Sequence, residues 1–474
     1  MDSVSEIGSE VLYERSFNLE DETDIGNALH FAWLNRSRLL YCKEWKTWLI
    51  WDGKRWGADR LGKVTKFAKE VTKDMFRIAL EMDSLRARMF ASTTSNKPRL
   101  KAMVDLAESE LPIESCGLDA DQWLLNCPNG TLNLKTGDLL EHDPNQRITK
   151  LCATAYDQDA QAPRWEKFLS EVFPDDAAVP EFLARWFGYC LTGSVREEMF
   201  PIFVGDGANG KSTMLTAILE AIGNDYAIQA NPDMLMESKK SSHPTDKTDL
   251  CGIRLAMCSE SESTQTLAAS TVKSLTGGDK IRARRMKENF FEFQATHKLV
   301  LATNYTPVIK DTSHGIARRL TLVKFNQRFD GPKRDNGLKE KLRQEYPGIL
   351  AWMVRGCIQW QRDGLNVPES VKWATTSYLK EQDTVGRFIN ERCLKQSSGK
   401  VRLKDLFEAS GAWCASNSES FSKDDLTNWL RQRGYKSRTS NGTLFDGLVL
   451  KVNDLSSLEA PEPPEAVFTL TQSF

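Results

Sequence analysis

One short segment limits the fold of this 474-residue chain more than any other. Residues 205–212 read Gly-Asp-Gly-Ala-Asn-Gly-Lys-Ser, which is a complete G-x-x-x-x-G-K-[ST] pattern. The apolar run 200–204 precedes it, and apolar residues spaced for one helical face follow it as far as Gly223. A strand, a glycine-rich turn and a helix form the context in which this pattern binds phosphate. The sequence therefore predicts a loop that binds a nucleoside triphosphate.

The predicted ATP-binding residues are the whole loop and the residue after it. They are Gly205, Asp206, Gly207, Ala208, Asn209, Gly210, Lys211, Ser212 and Thr213. The glycines allow backbone N–H groups to converge on phosphate oxygens at the positive end of a helix. Lys211 is expected to reach the β- and γ-phosphates, and the Ser212 hydroxyl is expected to ligate Mg²⁺. We therefore expect ATP and Mg²⁺ as cofactors.

Two further apolar runs end in polar side chains. Residues 254–259 lead to Glu260 and Glu262, and residues 298–303 lead to Asn304. A carboxylate at the end of a strand beside the phosphate loop holds the Mg²⁺ shell or orients the attacking water. We expect Glu260 to do so, with Glu262 as an accessory, and a solvated acidic loop is the alternative. Asn304 is expected to contact the γ-phosphate or the water.

Two arginines, Arg318 and Arg319, precede a fourth apolar run over residues 320–325. An arginine at this place is suited to contact the nucleotide of a neighbouring subunit, where it stabilises the charge on the transferring phosphoryl group. Adjacent arginines are also common as plain surface charge. Only the order of the motifs along the chain favours the first interpretation.

Residues 280–293 are typical of a β-hairpin with its tip near residue 288. Five of its first eight residues are cationic, namely Lys280, Arg282, Arg284, Arg285 and Lys287. These residues are predicted to grip the phosphate backbone of single-stranded DNA. The alternative is a solvated basic hairpin. Because the net charge of the chain is only −2, nucleic-acid binding depends on such local basic patches.

The ten cysteines form no C-x-x-C pair, and there are only five histidines. This composition argues against a zinc site and favours a reducing compartment. Acidic and polar residues follow Met1, and no apolar run reaches the ~18 residues of a membrane span. We therefore expect a soluble protein of the cytoplasm without a membrane partner.

Composition and pattern divide the chain into six regions. They are an acidic N-terminus expected to be partly disordered (1–26), an α+β accessory domain (27–160), the phosphate-loop domain with its leading helices (161–330), a helical segment (331–396), a compact C-terminal domain (397–453) and a disordered tail (454–474).

Asp-Gly between aromatic runs over residues 45–56 predicts a hairpin whose tryptophans form a core rather than stack on bases. Two helices and a hairpin in the C-terminal domain predict a winged-helix-like module, which either binds DNA or serves as a packing surface.

Taken in order, these elements resemble the ATPase of superfamily 3 helicases within the AAA+ class. They are most similar to the phage and plasmid primase–helicases, which are related to the poxvirus enzyme. The likeness is carried by residues 51–56, 129–137, 188–193, 205–213, 254–262, 275–285, 298–307 and 318–325. It covers about residues 27–330 and, more loosely, the C-terminal domain. The implied fold is α/β, with an AAA+ P-loop ATPase core, an N-terminal α+β accessory domain and a C-terminal winged-helix-like domain.

The resemblance implies a ring-forming, ATP-driven DNA helicase that acts in replication of a phage, virus or mobile element, in the host cytoplasm. Members of this family assemble as hexamers, move 3′ to 5′ along one strand and hydrolyse ATP between subunits. The implied partners are single-stranded or forked DNA, further copies of the chain, and a separate primase or other replisome proteins. No primase activity is expected within this chain, because it begins almost at the accessory domain.

The resemblance also assigns roles to single residues. Lys211, Glu260, Asn304 and Arg318 are the implied catalytic residues, and Ser212 and Glu260 are the implied metal ligands. Within this set, Asn304 is the sensor of the nucleotide state. Arg318 is the arginine finger that contacts the nucleotide of a neighbouring subunit, with Arg319 as the alternative. Ser259 stands where other branches have an acid, which leaves the division between Glu260 and Glu262 open.

Two other classes of function compete with a helicase. An origin-binding initiator or loader would use ATP as an assembly switch and the C-terminal domain to bind DNA. A small-molecule kinase would use the phosphate loop, but it gives no account of the basic hairpin or of the two arginines.

Overall fold

The computed structural model describes residues 22–237, 246–259, 265–284, 289–311, 313–439 and 442–451. The chain forms two compact units that divide after Thr375. Most of the predicted N-terminal region 1–26 and the whole of the tail 454–474 lie outside the described residues. Among the helices of the described ranges, none is long and apolar enough to cross a membrane.

The first unit begins with a small α+β region that has its own apolar core. Its elements are α1 (Asp24–Asn35), β1 (Leu39–Cys42), β2 (Thr47–Trp51), β3 (Trp56–Ala58), α2 (Val64–Glu81), α3 (Leu85–Thr94), α4 (Lys97–Ala107) and β4 (Pro112–Ile113). The sheet has the order β3-β2-β1-β4. Trp51 pairs with Trp56 across the β2–β3 hairpin, so the predicted hairpin is confirmed. Trp48 and Trp56 are buried, as predicted, whereas Trp45 is exposed.

A second small sheet and two helices lead to the phosphate loop. They are β5 (Leu124–Cys127), β6 (Gly130–Asn133), β7 (Leu139–Leu140), α5 (Pro163–Val172) and α6 (Ala178–Cys190). The predicted leading helices of the phosphate-loop domain are α5 and α6. Pro174 follows α5 and disfavours a helical conformation of the preceding residue. Asp176 then accepts a hydrogen bond from the Ala178 amide at the start of α6.

Within its described residues, the phosphate-loop region contains seven strands and three α-helices. They are β8 (Phe200–Val204), α7 (Lys211–Ile222), β9 (Ala227–Ala230), β10 (Leu255–Ser259), α8 (Ala269–Thr276), β11 (Lys280–Arg284), β12 (Phe290–Gln294), β13 (Lys298–Thr303), α9 (His314–Ala317) and β14 (Leu320–Lys324). Five strands form a parallel sheet in the order β14-β8-β13-β10-β9. Because these strands run in one direction, all their C-terminal ends lie at one side of the sheet, the carboxyl edge, and their N-terminal ends lie at the amino edge. Strands β11 and β12 form a separate antiparallel ribbon.

Three helices complete the first unit and lead into the second. They are α10 (Leu338–Gln344), α11 (Tyr346–Asp363) and α12 (Glu369–Gln382). One continuous apolar core joins α11 to α5, α6, α7 and the parallel sheet, and it includes Leu125 and Leu132 of the second small sheet. The side chain of Thr375 accepts a hydrogen bond from the Leu322 amide of β14, the strand at one end of the sheet. The parallel sheet therefore lies in the main core of the unit.

The second unit contains α13 (Thr384–Arg392), β15 (Cys393–Arg402), α14 (Leu403–Asn417), α15 (Lys423–Gln432), β16 (Ser437–Thr439) and β17 (Thr443–Leu450). Helices α14 and α15 and the β16–β17 hairpin occur in the predicted order. Strand β15 adds a third strand that the sequence pattern did not indicate, and the antiparallel sheet has the order β15-β17-β16. Leu406, Leu426 and Phe445 are fully buried and join the helices to the sheet.

Candidate nucleotide-binding site and basic ribbon

The predicted phosphate loop connects the carboxyl end of β8 to the first residue of α7. Gly207 and Gly210 have left-handed backbone angles, with φ of 60° and 90°. A Cβ atom on Gly205 would lie 2.3 Å from the Phe325 carbonyl oxygen, so only glycine fits at that position. On the other side of the loop, the Phe329 amide donates a hydrogen bond to the Ala208 carbonyl at 2.7 Å. The backbone after β14 therefore fixes the shape of the loop.

Lys211 is buried, and its ammonium group joins the loop to the neighbouring strand. Its Nζ donates to the Gly205 carbonyl and lies 3.4 Å from Oδ1 of Asn209 and 3.4 Å from Oδ1 of Asn304. Asn304 directly follows β13, which pairs with β8 in the sheet. Two of the predicted catalytic residues, Lys211 and Asn304, thus meet at the carboxyl edge.

The outer surface of the loop is exposed next to the first turn of a helix. Asp206, Gly207 and Ala208 are exposed, and Ser212 is exposed in the first turn of α7. The amide groups at the start of a helix carry partial positive charge that favours an anion. Thr213 is half-buried behind Ser212. Ser212 and the exposed loop residues are therefore accessible to a ligand, whereas Asn209 and Lys211 are buried.

The predicted acids cannot be placed in this site. Glu260 and Glu262 lie outside the described residues. The last described residue of β10, Ser259, pairs with Ala302 of β13. The carboxyl ends of β10 and β13 are therefore adjacent, with β13 between β10 and the strand of the phosphate loop. The role of Glu260 as acid and metal ligand stays a prediction.

The two arginines have very different surroundings. The Arg319 side chain is only 9% exposed, and it donates to Oγ1 of Thr276 at 3.1 Å and to the Gly315 carbonyl at 2.6 Å. The Arg318 side chain is 52% exposed. One carboxylate oxygen of Glu198 contacts both guanidinium groups, at 2.5 Å for Arg318 and 2.7 Å for Arg319. Arg319 is therefore held inside the fold, whereas Arg318 faces outward.

Arg318 lies at the opposite edge of the sheet from the phosphate loop. Phe200, the first residue of β8, donates its amide hydrogen to the Arg319 carbonyl, and Lys324 at the end of β14 pairs with Val204. The length of a five-residue strand, about 16 Å, thus separates the arginines from the loop. An arginine side chain cannot span that distance. Within one chain, Lys211 and Arg318 therefore lie too far apart to contact the same phosphate group.

The ribbon of β11 and β12 has one exposed, polar face. Lys280, Arg282 and Arg284 are exposed on β11, and the intervening Ile281 and Ala283 are buried on the other face. Arg285 and Lys287, which are also predicted to bind DNA, lie outside the described residues. The described part of the ribbon thus presents three of the five predicted cations on one surface.

Lys298, a buried lysine at the amino edge, was missed in the sequence analysis. It begins β13 and donates hydrogen bonds to the carbonyls of Thr192 and Thr296, the latter at 2.9 Å. Burial lowers the pKa of Lys298 to about 7. In the sequence, Lys298 is only a lysine at the start of an apolar run. Lysines are common at the exposed ends of strands, so this pattern does not indicate burial. Glu198, the acid that contacts both arginines, has no local signal at all.

Two known families match the chain. Residues 28–174 match the family described as D5 N terminal like, and residues 203–319 match a family of unknown function, DUF5906. The second match contains the phosphate loop, β13 and both arginines. The family descriptions by themselves assign no role to these residues.

The curated relatives are virus-encoded proteins. A protein of Acanthamoeba polyphaga mimivirus, provisionally named a helicase, is 26% identical over 400 residues, which cover 78% of this chain and 41% of that protein. A protein of African swine fever virus, provisionally named a primase, is 24% identical over 63% of this chain and 34% of its own length. A Frog virus 3 protein, also provisionally named a helicase, is 28% identical over 53% of this chain and 28% of its own length. The chain spans less than half the length of these relatives.

One solved structure shares the fold. The apo structure of the NrS-1 C-terminal region has a TM-score of 0.50 and 10% sequence identity, over 89% of this chain and 98% of the other. Together with the viral relatives, the family matches show that this chain is related to the primase–helicases of viruses and phages. The family resemblance predicted from the motifs is confirmed at that level. The superfamily 3 assignment stays a prediction.

Proposed function

We propose that this chain is one subunit of an ATP-driven DNA helicase that acts in replication of a virus, phage or mobile element. ATP is hydrolysed where two copies of the chain meet in a hexameric ring, and the basic ribbon pulls single-stranded DNA through the central channel. The single observation that carries this proposal is the position of Arg318, exposed at the amino edge while Lys211 lies at the carboxyl edge. Each half-site needs a second copy to become complete.

The chain's own residues have distinct tasks in this proposal. The loop amides and Lys211 bind the β- and γ-phosphates, and Ser212 holds Mg²⁺ together with Glu260. Asn304, which lies beside Lys211, orients the attacking water at the γ-phosphate. Arg318 of the neighbouring copy stabilises the negative charge that spreads over the transferring group. Bound Mg²⁺ neutralises charge on the phosphates.

The sheet order supports an AAA+ core for this ATPase. Strand β13, which ends at Asn304, lies between the strand of the phosphate loop and β10. The Asn304 amide can therefore contact the phosphate loop on one side and the end of β10 on the other. Strand β14, which follows the arginines, lies on the far side of β8.

The test is strand separation by the purified chain. We expect single-stranded DNA to stimulate ATP turnover and the assembled protein to unwind forked DNA, with both activities lost in Lys211→Ala. An assembled chain that hydrolyses ATP but never unwinds forked DNA would contradict the proposal. Electron microscopy with an ATP analogue and forked DNA measures the ring size and identifies the strand in the channel.

A second candidate function rests on the C-terminal unit. Helices α14 and α15 precede the β16–β17 hairpin, and Arg431 is exposed near the end of α15. This order supports a winged-helix-like module in an origin-binding initiator. Such a protein would bind one duplex sequence more tightly than others, and Arg431→Ala would weaken that binding while Arg318→Ala would not. Equal affinity for all duplex sequences would count against it.

A further inference from the structure

The exposed face of the β11–β12 ribbon contains an aromatic ring among its charges. Residues opposite each other in an antiparallel pair share a face, so the register defines this surface completely for the described strands. The three pairs on the exposed face are Lys280 with Gln294, Arg282 with Glu292 and Arg284 with Phe290. All six side chains are exposed. Phe290 is the aromatic residue of this set.

In the described part of the chain, two cations lie over the ring of Phe290. It is 47% exposed, and the guanidinium carbons of Arg282 and Arg284 lie 4.5 and 5.0 Å from its centroid. Both distances are within the range of cation–π contacts. An exposed cation–π contact is weak, whereas a nucleobase stacked on an aromatic side chain gains more free energy. A base can therefore displace a guanidinium from this ring.

We propose that Phe290 is a stacking platform for a base of single-stranded nucleic acid, and that Arg282 and Arg284 bind the phosphates on either side of that base. This inference rests on the proposed function, because it assigns the contact through which the ribbon holds the strand. Stacking does not depend on base identity, since every base has a π face. The platform therefore suits a protein that must hold each successive base in turn.

Glu292 limits how tightly the same face binds phosphate. Its carboxylate lies on the exposed face, opposite Arg282. A negative charge at this position repels the DNA backbone and offsets part of the attraction of the arginines. Two contributions therefore determine how the ribbon binds DNA. One is base stacking, and the other is the attraction to the DNA backbone, which Glu292 weakens. Glu292→Gln is expected to tighten binding to single-stranded DNA severalfold.

The test compares oligothymidylate with an abasic oligonucleotide of the same length, each titrated with the full chain by fluorescence anisotropy. Phe290→Ala should weaken binding to oligothymidylate about tenfold and leave the abasic affinity and the salt dependence unchanged. Arg284→Ala should weaken binding to both, and it should reduce the slope of log K against log salt by about 0.7. Phe290→Trp should retain the preference for oligothymidylate. Trp45→Ala, which removes an exposed ring elsewhere, serves as the control.

Two outcomes overturn the stacking proposal while the helicase proposal stands. One is unchanged affinity of Phe290→Ala for oligothymidylate, and the other is an equal loss for both oligonucleotides. If the wild-type chain binds neither oligonucleotide, the helicase proposal itself fails. That result appears before any variant is examined, so the two failures are distinguishable.

Discussion

The two edges of the parallel sheet differ in how their charged groups are held. At the carboxyl edge, Lys211 is buried and contacts the Gly205 carbonyl and the side chains of Asn209 and Asn304. At the amino edge, half of the Arg318 side chain is exposed, and its ion pair is with Glu198. The carboxyl edge is thus organised within one chain to bind a ligand. The amino edge presents a cation that is accessible to another molecule.

At the amino edge, two adjacent arginines also have different surroundings. Arg319 has hydrogen-bond partners in α8 and α9, and it neutralises Glu198 when Arg318 leaves that carboxylate. An arginine that moves to a neighbouring subunit would otherwise leave an uncompensated acid behind. The arrangement therefore favours Arg318 over Arg319 as the residue supplied in trans.

Removing the lysine of the carboxyl edge is expected to have the largest effect. Lys211→Ala should reduce ATP turnover by at least about a thousandfold, because it removes the buried cation that faces the β- and γ-phosphates. Steady-state phosphate release measures the loss, and thermal melting checks that the variant is folded. Lys101→Ala, which changes an exposed lysine on α4, should leave turnover unchanged. Near-normal turnover in Lys211→Ala would contradict the prediction that this loop binds the phosphates of ATP.

Removing the exposed arginine of the amino edge is expected to have the next largest effect. Arg318→Ala should lower turnover of the assembled protein about a hundredfold or more while ATP binding and the melting temperature change little. The matched variant Arg319→Ala should instead lower the free energy of unfolding by about 2 kcal/mol, because it removes buried charged hydrogen bonds. Urea unfolding compares the two variants. If Arg318→Ala destabilises the fold as much as Arg319→Ala does, the distinction between them is wrong.

The amide at the carboxyl edge should contribute less than either cation. Asn304→Ala is expected to lower kcat about tenfold, because one hydrogen bond to a charged group is lost. KM for ATP should change little, since the loop and Lys211 remain. Single-turnover rapid-quench measurement of ATP cleavage isolates the chemical step. A change confined to KM would show that Asn304 binds ATP rather than orients the water.

The last prediction concerns folding stability rather than ATP turnover, and it is a pH dependence that originates at the amino edge. Folding lowers the pKa of Lys298 from its ordinary value of 10.5 to about 7 through burial. Between these values the unfolded chain binds more protons than the folded chain, so stability should rise as the pH increases from about 7 towards 10. Lys298→Met should remove this part of the rise. Urea unfolding of both proteins across that pH range measures it, and an equal rise in both would contradict the assignment.

Local patterns predicted the phosphate loop, the strand and helix around it, and the tryptophan hairpin, because each is encoded by neighbouring residues. The position of Asn304 beside the phosphate loop was also predictable, because the carboxyl ends of parallel strands meet at one edge of the sheet. The separation of Arg318 from Arg319 was not predictable, because it depends on Thr276, which lies 43 residues away in the sequence and accepts a hydrogen bond from Arg319 alone. Phe290 was missed for a similar reason: its relation to the arginines depends on the strand register.

The central claim is that Lys211 and Arg318 complete one site from two chains. Mixing Lys211→Ala with Arg318→Ala subunits tests it directly, because some interfaces in a mixed ring combine an intact loop with an intact arginine. ATP turnover of the mixture should exceed that of either variant alone, while sedimentation shows that mixed assemblies form. Turnover that stays at the level of the separate variants in confirmed mixed rings would contradict the claim. Arg318 would then have a structural role within its own chain.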